Sequence, residues 1–166
     1  EGDAMEKKIV LSVLVENSSG VLSRVAGLFS RRGYNIDSLT VGETKNPSFS
    51  RMTIVSSGEE DSLEQLRKQL KKLVDVVDVV ELAPESSVCR ELVLVKVQAG
   101  PEERQQVLAI ADIFRAKIVD VADSSMIVEL TGNENKLEAF LRLLEKFRVL
   151  QVARTGISGL ARGTKE

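Results

Sequence analysis

Apolar residues alternate from Lys8 to Glu16, with Ile9, Leu11, Val13 and Val15 on one face and Val10, Ser12 and Leu14 on the other. That pattern predicts a strand with one fully buried side. The period then changes. Val21, Val25, Leu28 and Phe29 recur at helical spacing opposite Ser23, Arg24, Ser30 and Arg31, and Gly33 supplies the stop. Asn35–Gly42 and Ser50–Ser57 predict two further strands, joined by the polar hairpin Glu43-Thr44-Lys45-Asn46-Pro47-Ser48. A second helix is expected to open at Asp61, with Glu64 completing a capping box and Leu63, Leu66, Leu70 and Leu73 inward. Val76–Leu82 closes the series as a fourth strand.

After Ala83-Pro84-Glu85-Ser86-Ser87, read as a linker, the same order begins again. Arg90–Ala99 is a strand, and Gly100-Pro101-Glu102-Glu103 starts a helix carrying Val107, Ile110, Ala111 and Phe114 inward. Lys117–Ala122 and Met126–Thr131 form a hairpin, Asn133 caps a helix with Leu137, Phe140, Leu141 and Leu144 buried, and Arg148–Arg154 closes. The expected architecture is α+β, two ferredoxin-like βαββαβ sandwiches, each a four-stranded antiparallel sheet with two helices on one face. The boundaries read as 7–83, a linker at 84–88, 89–155, and a tail at 156–166 that is flexible by default or ordered against a partner. Residues 1–6 read as a loose leader. A unit of about 70 residues is marginal alone. Its sheet edges and uncovered face, with Val10, Leu14 and the strand end near Ile36, predict pairing edge to edge about a two-fold axis.

Composition narrows the chemistry. Hydrophobic residues make up 43% and charged residues 29% of the chain's 166 residues, as in a folded soluble domain. The apolar run after Lys7-Lys8 stops at Glu16, too short for a membrane span and without a cleavage site, so a cytoplasmic protein is expected. Net charge is −2, which disfavours a phosphate backbone as partner. Aromatic residues are 4% of the chain and none lies inside the strand after Phe49, so the base-stacking platform of an RNA-recognition module is missing. There is no histidine and one cysteine, Cys89, which removes His-served nucleophiles, internal disulfides and most zinc sites. The glycines match no phosphate-binding fingerprint. No catalytic residue and no metal site are expected.

A small-ligand binder or interaction module is what these exclusions leave. The stretch Asn17-Ser18-Ser19-Gly20-Val21-Leu22 sits where a strand turns into a helix. Main-chain N–H groups at a helix start can hold an anion, and Gly20 lets a ligand approach without a Cβ in the way. Asn17 and Asn35 bracket the helix with amides that donate and accept. Leu22, Val15 and Ile36 supply an apolar wall. An apolar amino acid fits, its carboxylate on N–H groups and its ammonium on amide oxygens. The same Asn17, Ser18 and Ser19 also suit plain helix capping.

The run Leu14-Val15-Glu16-Asn17-Ser18-Ser19-Gly20-Val21-Leu22-Ser23-Arg24-Val25, followed by Gly27-Leu28-Phe29-Ser30-Arg31-Arg32-Gly33-Tyr34-Asn35-Ile36-Asp37-Ser38-Leu39, resembles an ACT domain. More narrowly it resembles the regulatory (small) subunit of acetolactate synthase, also called acetohydroxyacid synthase. Ser50–Ile54, Gln69–Val76, Arg90-Glu91-Leu92 and Gly159-Leu160-Ala161-Arg162-Gly163 extend the likeness over nearly the whole chain. The resemblance implies a non-catalytic subunit that activates a catalytic large subunit and confers feedback inhibition by valine in branched-chain amino acid synthesis. It implies valine contacts at Asn17, Ser19, Gly20, Val21 and Leu22, with Asn35 and Ile36 coming from the second subunit of a homodimer. Thiamine diphosphate, Mg and FAD are implied on the catalytic partner and no cofactor on this chain. A stand-alone ACT-domain amino-acid sensor acting on a different partner is the alternative.

Overall fold

A computed structural model describes residues 6–164; the leader, apart from Glu6, and residues 165–166 lie outside the described residues. The first unit runs β1 (Lys7–Glu16), α1 (Val21–Arg32), β2 (Asn35–Glu43), β3 (Phe49–Gly58), α2 (Glu60–Lys71) and β4 (Val76–Glu81). Its antiparallel sheet has the order β2-β3-β1-β4, so β1 and β3 are central and β2 and β4 are edges. Leu11, Val13 and Val15 of β1 meet Val25 and Phe29 of α1 and Leu66 and Leu70 of α2 in one core. The single-face alternation expected of β1 is the reason both helices lie on the same side. Gly33, at φ 71°, closes α1, and Tyr34 N–H reaches back to the Phe29 carbonyl at 2.9 Å. This is the αL stop that glycine accommodates without strain.

The second unit repeats the order with β5 (Ser87–Gln98), α3 (Arg104–Phe114), β6 (Lys117–Val121), β7 (Ser125–Gly132), α4 (Glu134–Leu144) and β8 (Val149–Arg154). Its sheet runs β6-β7-β5-β8 over a core that includes Val93, Val95, Val107, Val128 and Phe140. Asn133 caps α4 by accepting from Lys136 N–H at 2.9 Å. The division between compact units falls after Cys89, and residues from Ile157 onward belong to the first unit.

Local expectations differ from the structure at three places. Helix α2 opens at Glu60 and its N-cap, Glu59, makes no side-chain bond, so the Asp61–Glu64 capping box does not form. Glu64 instead lies 3.7 Å from Lys68 one turn on. Helix α3 begins only at Arg104, because Gly100–Glu103 form a separate turn in which the Glu103 carboxylate accepts Gly100 N–H at 2.8 Å. The third is the segment from residue 156, expected to be flexible by default or ordered against a partner; it orders against its own chain. It returns to the first unit as β9 (Ser158–Ala161), which pairs with β5 and packs against the start of that strand, Val88 and Cys89, within the first unit. Arg162 N–H donates to the Ser86 carbonyl at 2.8 Å, and Thr40 Oγ1 donates to the Ile157 carbonyl at 3.4 Å.

Part of the first sheet's helix-free face is thereby covered. Val55 and Leu82 are buried there, outside the core beneath the helices, and Gly159 packs on Leu82. A Cβ on Gly159 would stand 2.7 Å from Cys89 Sγ and 2.9 Å from Leu82 Cδ1, so only glycine allows this approach. The expected linker is ordered as well, as a short 3₁₀ turn at Pro84–Ser86 followed directly by β5.

Candidate functional site

The β1–α1 turn is where the sequence places its ligand corner. Gly20 is the N-cap of α1 at φ 85°, and no side chain caps the helix. Asn17 and the two serines therefore do not serve as caps. Asn17 Nδ2 instead donates to the Pro47 carbonyl at 2.9 Å, and its main-chain N–H donates to the Ser48 carbonyl at 2.8 Å. The amide is thus tied to the β2–β3 hairpin by its nitrogen, which leaves the side-chain oxygen as the end able to accept from an ammonium. Residues 17–20 are all exposed, so in a single chain the corner is a shelf without a lid.

The apolar wall is smaller than the sequence suggests. Val15 and Val21 point into the core beneath the sheet, so Val21 can offer a ligand only its main chain. Leu22, 47% exposed, is the apolar side chain that the turn presents. Ile36 packs partly against the core and remains partly accessible.

Asn35 and Ile36 are not near this turn within one chain. Asn35 lies opposite Ser57 of β3, which lies opposite Lys8 of β1. The corner follows Glu16, at the other end of β1. Eight residues of strand separate the two rows, about 26 Å at about 3.3 Å per residue. The sheet register puts the two halves of the candidate site at opposite ends.

The Asn35 end is built with care. Asn35 Nδ2 donates to Asp37 Oδ1 at 2.6 Å, Ser57 Oγ donates to Asp37 Oδ2, and buried Ser56 donates to the Asn35 carbonyl at 2.6 Å. Asp37 is the extra residue of a bulge between Ile36 and Ser38. Sequence reasoning did not assign Asp37 a role; its place two residues after an Asn was the available signal.

Two further residues escaped the sequence altogether. Asp75, in the α2–β4 turn, accepts Arg24 Nε at 2.5 Å through its carboxylate and Glu16 N–H at 2.9 Å through its carbonyl. Asp75 is nearly buried, whereas the Arg24 side chain is 49% exposed. The Asp75 hydrogen bond, with its charge, raises the Arg24 pKa further above the ordinary guanidinium value, so the cation persists at every working pH. Arg24 Nη1 stands 2.9 Å from where a Cβ on Gly20 would be. The room left by the missing side chain is taken by a guanidinium. Nothing in the local pattern links positions 24 and 75.

The second unit's corresponding turn is different. There the Gly100 amide already holds the chain's own Glu103 carboxylate. An incoming anion finds that donor satisfied and a like charge beside it.

Residues 11–78 match the family model described as an AHAS small subunit-like ACT domain, so the first unit is an ACT domain. Residues 90–163 match the model for the small subunit of acetolactate synthase. The chain belongs to the acetolactate synthase small-subunit family. It is 53% identical over 159 residues to the small subunit of Mycobacterium bovis, covering 96% of this chain and 95% of that one. It is 52% identical to the isozyme 3 small subunit of Salmonella typhimurium, covering 94% and 96%. The crystal structure of the small subunit from Thermotoga maritima superposes with a TM-score of 0.86 at 43% identity, over 96% of this chain and 99% of that one.

Proposed function

We propose that the chain is a regulatory subunit: it activates a thiamine-diphosphate-dependent acetolactate synthase catalytic subunit and makes it subject to feedback inhibition by valine. In this reading it acts in the cytoplasm as a homodimer joined through its ACT domains. Thiamine diphosphate, Mg and FAD reside on the catalytic partner, and this chain contributes no catalytic group.

The observation that carries the reading is the register of the first sheet. Antiparallel pairing of the β2 edges about a two-fold axis sets the start of one β2 beside the end of the other. That end leads into the 44–48 hairpin, to which Asn17 is tied. Asn35 and Ile36 of one chain then face Asn17, Ser19, Gly20 and Leu22 of the other. The exposed shelf gains a second wall, and valine's carboxylate meets the α1 start while its ammonium meets amide oxygens. Valine bound between two chains favours one arrangement of the dimer, and it acts on catalysis only through its differential affinity for the arrangements.

The test is a thermal-shift panel of the twenty amino acids on the whole chain. Valine at a hundredfold excess over Kd should stabilise by about 2.7 kcal/mol. No shift with valine, leucine or isoleucine contradicts the site. Addition of the chain to the catalytic subunit should raise acetolactate formation, and valine should lower it again.

A further inference from the structure

Arg24 brings a cation to the candidate corner, over Gly20 and beside the Ser19 carbonyl, and the effector site proposed above does not use it. Its Nε is committed to Asp75 at 2.5 Å, and Nη2 makes only a long contact of 3.5 Å with the Ser19 carbonyl. Nη1 lies over Gly20, 2.9 Å from the position of a Cβ. Asp75 itself is held by Glu16 N–H, so the guanidinium is fixed relative to both the end of β1 and the start of α1. A guanidinium has five donors, and one strong bond to Asp75 leaves its Nη edge able to serve a second carboxylate.

Magnitude decides whether that edge matters. An exposed helix start alone favours an anion by only about two- to fivefold. That is too little for a corner that must distinguish an amino acid's carboxylate from a neutral group. A preorganised guanidinium adds a charge-assisted hydrogen bond, about twice as strong as a neutral one.

We propose that Arg24, held by Asp75 over Gly20, is the charge partner of the effector's carboxylate and so restricts this corner to ligands with a free α-carboxylate. The inference rests on the effector site proposed above. It assigns glycine at position 20 a second task, since any side chain there would displace the guanidinium.

The experiment compares L-valine with L-valinamide, which keeps the ammonium and the side chain and lacks the carboxylate charge. Binding to the whole chain is measured by calorimetry for the wild type and Arg24→Gln. The wild type is expected to prefer valine, and Arg24→Gln to lose about thirtyfold in valine affinity and less than about threefold in valinamide affinity. An equal loss for both ligands shows that Arg24 only shapes the turn and overturns the proposal; so does unchanged valine binding. If the wild type binds neither ligand, the effector site itself is wrong, which is a separate failure. Should Arg24→Gln not fold, the wild-type Arg24 Nε–H resonance, assigned with Arg24→Lys, gives the same answer. It is expected to shift with saturating valine and not with saturating valinamide, and a shift with both or with neither overturns the proposal.

Discussion

At the residue scale, Gly20 joins backbone geometry to recognition. Its φ of 85° costs an L-residue about 1–2 kcal/mol, and Asp is among the few side chains that tolerate it. Gly20→Asp places a carboxylate within reach of Arg24, where the ligand's own is expected. The variant chain should still activate the catalytic subunit but no longer confer valine inhibition; assays of acetolactate formation with and without valine decide it, and retained inhibition contradicts the site. Asn17, Gly20 and Asn35 stand out in the sequence as two amides and a glycine flanking a helix, a pattern that plain capping also produces. The Arg24–Asp75 bond does not stand out, because it joins positions 51 apart through a turn that has no periodicity. Val15 and Val21 face inward, as their places in the strand alternation and the helical stripe predict, and it is only as part of a ligand wall that the Val15 side chain drops out.

At the element scale, β2 carries the account. It is an edge strand with Val41 exposed, and it holds Asn35 and Ile36 at its far end from the corner. Val41→Lys puts like charges along the proposed seam. Analytical ultracentrifugation should show the dimer weakened about tenfold or more. Valine should tighten the wild-type dimer, because a ligand that needs both chains stabilises their association; an association constant indifferent to valine contradicts a shared site. The order of strands and helices was readable because the period switches cleanly between 2 and 3.6 residues. Strand β9 was not readable, since Ser158–Ala161 has no alternation and docks through a glycine. Gly159→Ala forces a methyl against Cys89, Leu82 and the Val88 carbonyl. It should cost about 1–3 kcal/mol, read as a lower denaturant midpoint; an unchanged midpoint would mean that the docked tail adds nothing to stability.

At the scale of the whole molecule, the two βαββαβ units share an architecture and differ at the turn that matters. The first unit's α1 start is uncapped, while the second unit's Gly100 amide is occupied by Glu103. One effector per chain is therefore expected, and calorimetry should give a stoichiometry of one valine per subunit. The central claim is that each site is built from two chains, because one chain's register keeps its halves about 26 Å apart. It is tested most directly by mixing two variants that each abolish valine binding, Gly20→Asp and Asn35→Ala. The mixed dimer joins the intact corner of the Asn35→Ala chain to the intact Asn35 of the Gly20→Asp chain. The account predicts that mixing restores one valine site per mixed dimer; no recovery, with mixed dimers demonstrably formed, would contradict it.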